Sequence, residues 1–292
     1  MGNLSERLLE VLSPEAVGAF SRLRTLQRLP GVIADPSQYF NWSDLETLLQ
    51  RDRGNAADYR FCKGGQVIGK EMFKLVGDDN SLNPRPLQAM ADQGVAIVVN
   101  RVNQKFSSFW RDVQRLDEAL RIKGQLVCFS SLAPAQGFPL HYDAVDAIIV
   151  QTVGRKHWTF YGEPVAGPLA RHVEPKPTSV TCELVMEAGD VLFLPSGLHH
   201  QCRALEPSIH LAFLLERPSG FDLLKHLAVL HEADTILGTQ ILPGEEARQQ
   251  QALLKERLIE LVHQIDLDGF TRDWSQPPDS PPLILRPKID QR

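Results

Sequence analysis

The sequence predicts a mainly β protein with flanking helices: a small antiparallel barrel or jelly roll followed by a helical segment. Three observations predict it. From Gln125 to Glu216 short apolar runs alternate with Gly- and Pro-bearing turns, the pattern of a barrel or double-sheet β structure. Upstream of that stretch, segments of helical spacing alternate with single strands. After Pro218 the spacing turns helical. The chain divides accordingly into 1–123, a helical and strand scaffold flanking the barrel; 124–217, the barrel; 218–265, a helical segment; and 266–292, a proline-rich tail.

Taken in order, Pro14–Leu29 has apolar residues at helical spacing, Val17, Phe20, Leu23 and Leu26. Ser43-Asp44-Leu45-Glu46 reads as a capping box that opens a helix running to about Gln50. Tyr59–Gly69 reads as a hairpin turning at Gly64-Gly65. Pro86–Gln93 reads as a helix stopped by Gly94, and Val95–Val99 as a buried strand of β-branched residues. Phe106–Ile122 places Phe109, Val113, Leu116 and Leu120 on one helical side.

The barrel strands are expected at Gln125–Ser130, Ala147–Val153, His157–Tyr161, Thr181–Val185, Asp190–Leu194, His200–Ala204 and Ser208–Leu215. Gly162–Thr178, with Pro164, Pro168, Pro175 and Pro177, is loop. Beyond the barrel, Phe221, Leu224, Leu227 and Ala228 form one stripe. Pro243-Gly244 interrupts it. Leu254, Leu258, Leu261, Val262 and Ile265 form a second stripe within Glu245–Ile265. Such stripes cover a core of their own chain or pair between subunits.

Composition bounds the function. The 292 residues carry 43% hydrophobic and 23% charged side chains, ordinary for a globular protein, and a formal net charge of −5. That balance leaves no general basic footprint and argues against a nucleic-acid partner. No apolar run is long enough to span a membrane. The opening MGNLSERLLEVLSPE lacks a basic segment followed by an apolar one, so no signal peptide is expected. Cys62, Cys128, Cys182 and Cys202 show no CxxC spacing, and a reducing cytoplasm fits them.

The chemistry concentrates in Gly137–Trp158, GFPLHYDAVDAIIVQTVGRKHW. His141 and Asp143 stand two residues apart on a strand-like stretch, so both side chains share a face. HxD by itself recurs by chance, and a strand His or Asp is more often a satisfied polar group than a ligand. Here an apolar strand, a Gly-x-Lys turn and then Leu192–His200, LFLPSGLHH, follow it. Two His and one carboxylate on one face of a metal form the ligand set of non-haem Fe(II) oxygenases. The spacing from Gly197 and the alternation of faces select His200 over His199 as the second histidine. Arg155 and Lys156 point to opposite faces, so only one can turn inward. His157, His172 and His210 read as structural or surface groups, and Trp158 and Phe160 as packing.

These segments carry a resemblance. GFPLHYDAVDAIIVQTVGRKHWTFY and EAGDVLFLPSGLHHQC, with FNWSDLETLL and GVAIVVNRV upstream, resemble the cupin-like branch of the JmjC oxygenases that contains the ribosomal oxygenases. The likeness runs from about Tyr39 to Arg217. It implies a double-stranded β-helix of the cupin type and Fe(II)- and 2-oxoglutarate-dependent chemistry with O₂, releasing succinate and CO₂. It places the metal ligands at His141, Asp143 and His200, and the partner of the distal 2-oxoglutarate carboxylate at Lys156. Ser131 and Asn100 are further candidates for cosubstrate contact, though such residues are more often ordinary strand-end polar groups. The family often has an Asn and a Tyr on the strand before HxD; Val127 and Phe129 stand there instead, a departure in the cosubstrate pocket.

The resemblance further implies hydroxylation of a protein or peptide side chain, a ribosomal protein among the candidates. The alternatives are the same chemistry on a small metabolite, a natural-product peptide or a nucleoside, and a metal-binding cupin without 2-oxoglutarate. Demethylation is the same chemistry where the hydroxylated carbon bears nitrogen. Helices after the barrel usually make a dimer in this family, so a homodimer is expected. Its larger members then carry a winged-helix-like domain, which the short Asp266–Arg292 is not expected to form.

Overall fold

The computed structural model describes residues 3–51, 56–68, 93–132, 134, 136–167, 176–241, 243–244 and 247–274. Two compact units divide between Glu216 and Arg217. The first contains α1 (Leu4–Val11), α2 (Pro14–Leu23), β1 (Gln27–Leu29), α3 (Trp42–Arg51), β2 (Tyr59–Lys63), β3 (Gln66–Ile68), β4 (Ala96–Val99) and α4 (Ser107–Leu120). The barrel strands follow: β5 (Lys123–Ser131), β6 (Asp146–Val153), β7 (Lys156–Tyr161), β8 (Val180–Met186), β9 (Val191–Leu194), β10 (His199–Ala204) and β11 (Ser208–Glu216).

Eight strands form one antiparallel sheet in the order β1-β9-β6-β11-β5-β4-β2-β3, and three form a second in the order β10-β7-β8. This two-sheet arrangement is the jelly roll the sequence predicts. Strand alternation explains what lies on each face of the large sheet. Ile148 and Val150 of β6, Leu126 and Cys128 of β5, and Ile209, Leu211, Phe213 and Leu215 of β11 join one core. Leu4, Leu8, Phe40, Phe109, Val113 and Leu116 from the N-terminal scaffold complete that core. The intervening residues, Ala147, Ile149 and Ala212, turn to the other side, where Trp158, Phe160 and Met186 of the small sheet meet them. Both faces of β6 are therefore buried, which is why DAIIVQTV reads as a near-continuous apolar run. The space between the two sheets is where a site can form.

The turn at Gly154 requires glycine: φ is +67°, and a Cβ there would stand 2.1 Å from the Pro207 carbonyl oxygen. That turn delivers Lys156 to the first position of β7. The Tyr59–Gly69 hairpin forms as β2 and β3, with Gly64 and Gly65 both at positive φ.

Three expectations need correction. Pro14–Leu29 is not one helix. Arg24 adopts the left-handed conformation and ends α2, and Gln27–Leu29 then pairs with β9 as an edge strand. Pairing with an open sheet edge satisfies that backbone, and Leu26 packs between the sheets. The cap of α3 is Asn41 rather than Ser43: its Oδ1 accepts from the N–H groups of Ser43 and Asp44, and the Asp44 carboxylate accepts from the Asn41 N–H. The reciprocal box exists, shifted by two residues, because Asn caps as well as Ser does. The expected Pro86–Gln93 helix lies outside the described residues.

The second unit holds α5 (Gly220–Leu230), α6 (Arg248–His263) and α7 (Leu267–Trp274). Ser219 and Asp222 form a capping box at α5. Helix therefore continues past residue 266, where the tail was expected to begin. Arg257 is tied to Asp234 at 2.7 Å. The second stripe is also rotated from expectation: Leu261 is buried, whereas Leu258 and Val262 are exposed. No helix among the described residues is long and apolar enough to cross a membrane.

Candidate metal centre

Between the sheets lies a cavity of about 110 Å³, room for one small organic acid. Its walls are apolar: Ala147 and Ile149 from β6, Ala212 and Leu214 from β11, Leu194 from β9 and Trp158 from β7. Polar groups cluster at two places, His141, Asp143 and His200 at one and Lys156 with His210 at the other.

His141, Asp143 and His200 offer ligand atoms that all lie within 4.8 Å of one another. The backbone brings them together. His141 and His200 exchange main-chain hydrogen bonds, N–H of His200 to O of His141 at 2.8 Å and the reverse at 3.2 Å. The Gly197 N–H donates to the Asp143 carbonyl at 2.8 Å. Gly197 itself has φ +77° and backs onto Val165, where a Cβ would meet the carbonyl oxygen at 2.5 Å. Asp146 steadies the same turn by accepting from the Ser196 N–H at 2.8 Å and the Ser21 hydroxyl at 2.6 Å.

Each imidazole is oriented by its far nitrogen. His141 Nδ1 donates to the Pro139 carbonyl at 2.8 Å, and His200 Nδ1 to the Leu198 carbonyl at 2.9 Å. Both Nδ1 atoms thus carry a proton, and both Nε2 atoms face Asp143, at 3.9 Å and 3.8 Å from its carboxylate oxygens. Fixing the tautomer through the outer nitrogen is how metal-ligating histidines are held. Burial keeps His200 neutral, with its pKa lowered to about 4 despite the attraction of Asp143. Two imidazoles and a carboxylate with open space opposite fit a divalent iron. His199 does not join them. Its ring points to the other face of β10 and meets the Tyr142 ring edge-on at 4.9 Å.

Lys156 is 3% exposed. Its Nζ donates to the Phe129 carbonyl at 3.1 Å and lies 3.0 Å from His210 Nδ1. No carboxylate among the described residues forms an ion pair with it, and burial lowers its pKa. A buried cation without a counter-ion is costly, so the cavity it lines suits an anion. Arg155 faces the other way, paired with Glu206 at 3.1 Å. Of the remaining candidates, Ser131 lines the cavity. Asn100 lies away from it, its side chain spent on the Asp58 carbonyl and on Arg60.

Sequence reasoning missed three lining residues. His210 read as a structural or surface group, yet it is 2% exposed and lines the cavity. Its place directly opposite Phe129 in the β5–β11 register was the available signal. Trp158 read as packing only; it packs and also lines the cavity. Arg60 carried no sequence signal, since only the pairing of β2 with β4 brings it beside Val98 at the rim, with its guanidinium 5.1 Å from the Phe138 ring centre.

Comparison with known proteins accords with this geometry. Residues 102–223 match the family described as JmjC domain. Ribosomal oxygenase 2 of Rattus norvegicus is 31% identical over 226 residues, covering 67% of this chain and 45% of that protein. The bifunctional lysine-specific demethylase and histidyl-hydroxylase NO66 of Culex quinquefasciatus is 35% identical over 200 residues, 65% of this chain and 31% of that one. The chain thus spans less than half the length of these relatives. Among solved structures, YcfD, a ribosomal oxygenase from Escherichia coli in complex with cobalt and 2-oxoglutarate, superposes with a TM-score of 0.56 at 19% identity, over 84% of this chain and 65% of that one, a likeness of fold. With the domain match, the relatives and the jelly roll agreeing, the chain belongs to the cupin-like JmjC family.

Proposed function

We propose that this chain is an Fe(II)- and 2-oxoglutarate-dependent dioxygenase that hydroxylates a side chain of a protein or peptide. One observation carries the reading: a His-Asp-His set with both outer nitrogens anchored shares a cavity with a buried lysine that lacks a carboxylate partner. When bound, iron and 2-oxoglutarate supply oxidative decarboxylation to succinate and CO₂ together with transfer of an oxygen atom from O₂ to a substrate C–H. The residues' tasks follow from their places. His141, Asp143 and His200 hold the metal from one side. Lys156 holds the distal carboxylate at the other end of the cavity. Trp158, Ile149, Ala212 and Leu194 exclude water between them. A cavity this small is filled by the cosubstrate, so the target side chain enters past the half-exposed His141 and Asp143, 39% and 41% open. The relatives named as ribosomal oxygenases support a ribosomal protein as the substrate.

The test incubates the purified chain with Fe(II), 2-oxoglutarate and a cell extract split into ribosomal-protein and small-molecule fractions. The expected result is succinate formation with gain of one oxygen mass on a ribosomal-protein peptide. An oxygen gained only in the small-molecule fraction overturns the choice of substrate.

Assembly belongs to the same reading. In the helical unit, Phe221 and Leu224 of α5 and Leu258, Ile259 and Val262 of α6 stand between 47% and 62% exposed. Apolar residues concentrated in this way suit a second subunit, and we propose a homodimer formed by this unit. Light scattering should give twice the chain mass, and Leu258→Glu with Val262→Glu should halve it; a monomeric intact chain at micromolar concentration sinks the idea. The four cysteines are free thiols, which supports a reducing cytoplasmic setting.

A further inference from the structure

Lys156 reaches from one sheet to the other. It stands on β7 of the small sheet, and its Nζ donates to the carbonyl of Phe129 on β5 of the large sheet at 3.1 Å. Phe129 and His210 face each other in the β5–β11 ladder, and His210 Nδ1 lies 3.0 Å from the same Nζ. A lysine stem is flexible, and its ammonium has three donors and no acceptor. One acceptor would leave Nζ free to swing. Two acceptors on adjacent strands fix it and leave one N–H for a ligand. His210 is itself held in place: it is 2% exposed, with its ring 4.7 Å from that of Phe129 and 5.5 Å from that of Trp158. Burial and the adjacent Lys156 keep it neutral, its pKa well below the ordinary histidine value, so the ring retains a lone pair to offer.

From this we infer that His210 is a positioning residue for the cosubstrate: by accepting from Lys156 it fixes Nζ, together with the Phe129 carbonyl, so that the third ammonium N–H meets the distal carboxylate of 2-oxoglutarate. His210 touches no oxygen of the acid and acts only through Lys156. The inference rests on the reading under "Proposed function". Because Nδ1 accepts, the ring proton belongs on Nε2, directed away from the lysine. The arrangement also gives the departure on β5 a place. Phe129 serves the floor with its backbone carbonyl and with the ring packed on His210, and the polar side-chain atom comes from β11, at the register position opposite.

The experiment measures binding rather than turnover. The full chain is loaded with Zn(II), kept free of oxygen, and titrated by calorimetry with 2-oxoglutarate and, separately, with 2-oxopentanoate, which has a methyl group where the distal carboxylate stands. His210→Phe keeps a ring and removes the acceptor. It should weaken 2-oxoglutarate binding about tenfold, the order of one hydrogen bond to a charged group, and leave 2-oxopentanoate binding within about twofold. His210→Asn places an amide oxygen close to where Nδ1 stands and should retain most of the affinity. A double-mutant cycle separates positioning from direct contact. In a Lys156→Met chain no ammonium remains to be positioned, so adding His210→Phe should change 2-oxoglutarate affinity by less than about twofold. A loss there as large as in the wild-type background gives His210 a role independent of Lys156 and overturns the inference. Unchanged 2-oxoglutarate affinity in His210→Phe, or equal loss of both acids, does the same. Nitrogen NMR of the wild-type chain needs no variant to fold: it should show His210 protonated on Nε2 and bare on Nδ1, and a proton on Nδ1 overturns the inference. In all these cases the proposed function stands. Wild-type chain that binds Zn(II) and no 2-oxoglutarate overturns the proposed function, and this inference with it.

Discussion

The two ends of the cavity are built by opposite strategies. At the mouth, His141 and Asp143 are 39% and 41% exposed, and their positions are fixed by backbone: mutual main-chain hydrogen bonds between His141 and His200, and carbonyl acceptors for both outer imidazole nitrogens. At the floor, Lys156 and His210 are almost fully buried and fixed by each other and by aromatic rings. The mouth can exchange ligands with solvent without losing its shape, because its geometry does not depend on the side chains that do the binding. The floor has less independence: Lys156 and His210 are each other's partner, and only Lys156 has a backbone acceptor besides, the Phe129 carbonyl. Loss of one group at the mouth should therefore be local and complete in effect, and loss of one at the floor partial and shared.

The largest effect tests the mouth. His141→Ala, Asp143→Ala and His200→Ala each remove one of three ligands and are expected to abolish turnover and stoichiometric Fe(II) binding, measured by metal analysis after gel filtration. His199→Ala changes a residue on the opposite face of β10 and should keep its iron. Metal lost from His199→Ala but retained by His200→Ala reverses the assignment of faces.

At the floor the expected effect is smaller. Lys156→Ala removes a charge-assisted contact of roughly 1.5–3 kcal/mol, so the apparent KM for 2-oxoglutarate should rise about ten- to a hundredfold. Lys156→Arg retains the charge and should retain part of the activity. A cosubstrate KM identical to wild type would remove Lys156 from the floor's function.

How legible each end was in the sequence follows from the same contrast. The mouth is local: HxD on one strand and GxxH after one turn, with geometry set by backbone over short spans, so His141, Asp143 and His200 could be read directly. Alternation put Arg155 and Lys156 on opposite faces, and the family resemblance selected Lys156 as the inward one. The floor is non-local. His210 becomes a neighbour of Lys156 only through the pairing of β11 with β5 and the stacking of two sheets, and a lone histidine in an apolar run carries no mark of that. Asn100 failed for the complementary reason. It directly follows the cavity strand β4 in sequence, but the carbonyl of Asp58, the residue before β2, claims its amide. Apolar periodicity located the strands well because most are buried on both faces, whereas the short β1 was hidden inside a helical pattern that continued past its own C-cap.

Another buried ionisable group, at neither end of the cavity, supplies the control. Asp117 is 8% exposed near the C-terminus of α4. It accepts from the Gly124 N–H, but its Oδ1 has no hydrogen-bond partner. Burial, with Glu118 adding to it, pushes its pKa up to about 7. Like Lys156 it is an ionisable group disfavoured in its charged form, but it does not line the cavity, so no ligand can repay it. In the unfolded chain an aspartate titrates near 3.9, so between roughly that pH and about 7 the native state holds a proton that the unfolded state has released. Stability from this group therefore falls as pH rises through that window and levels off above it. Asp117→Asn keeps an acceptor for Gly124 and removes the titration. Relative to wild type, the variant should gain about 1–3 kcal/mol between about pH 4 and pH 8, measured by urea unfolding at each pH. Its affinity for 2-oxoglutarate should not change. Parallel stability curves for the two proteins would show that Asp117 is ionised in the fold, and a change in cosubstrate affinity would show that the floor extends further than Lys156 and His210.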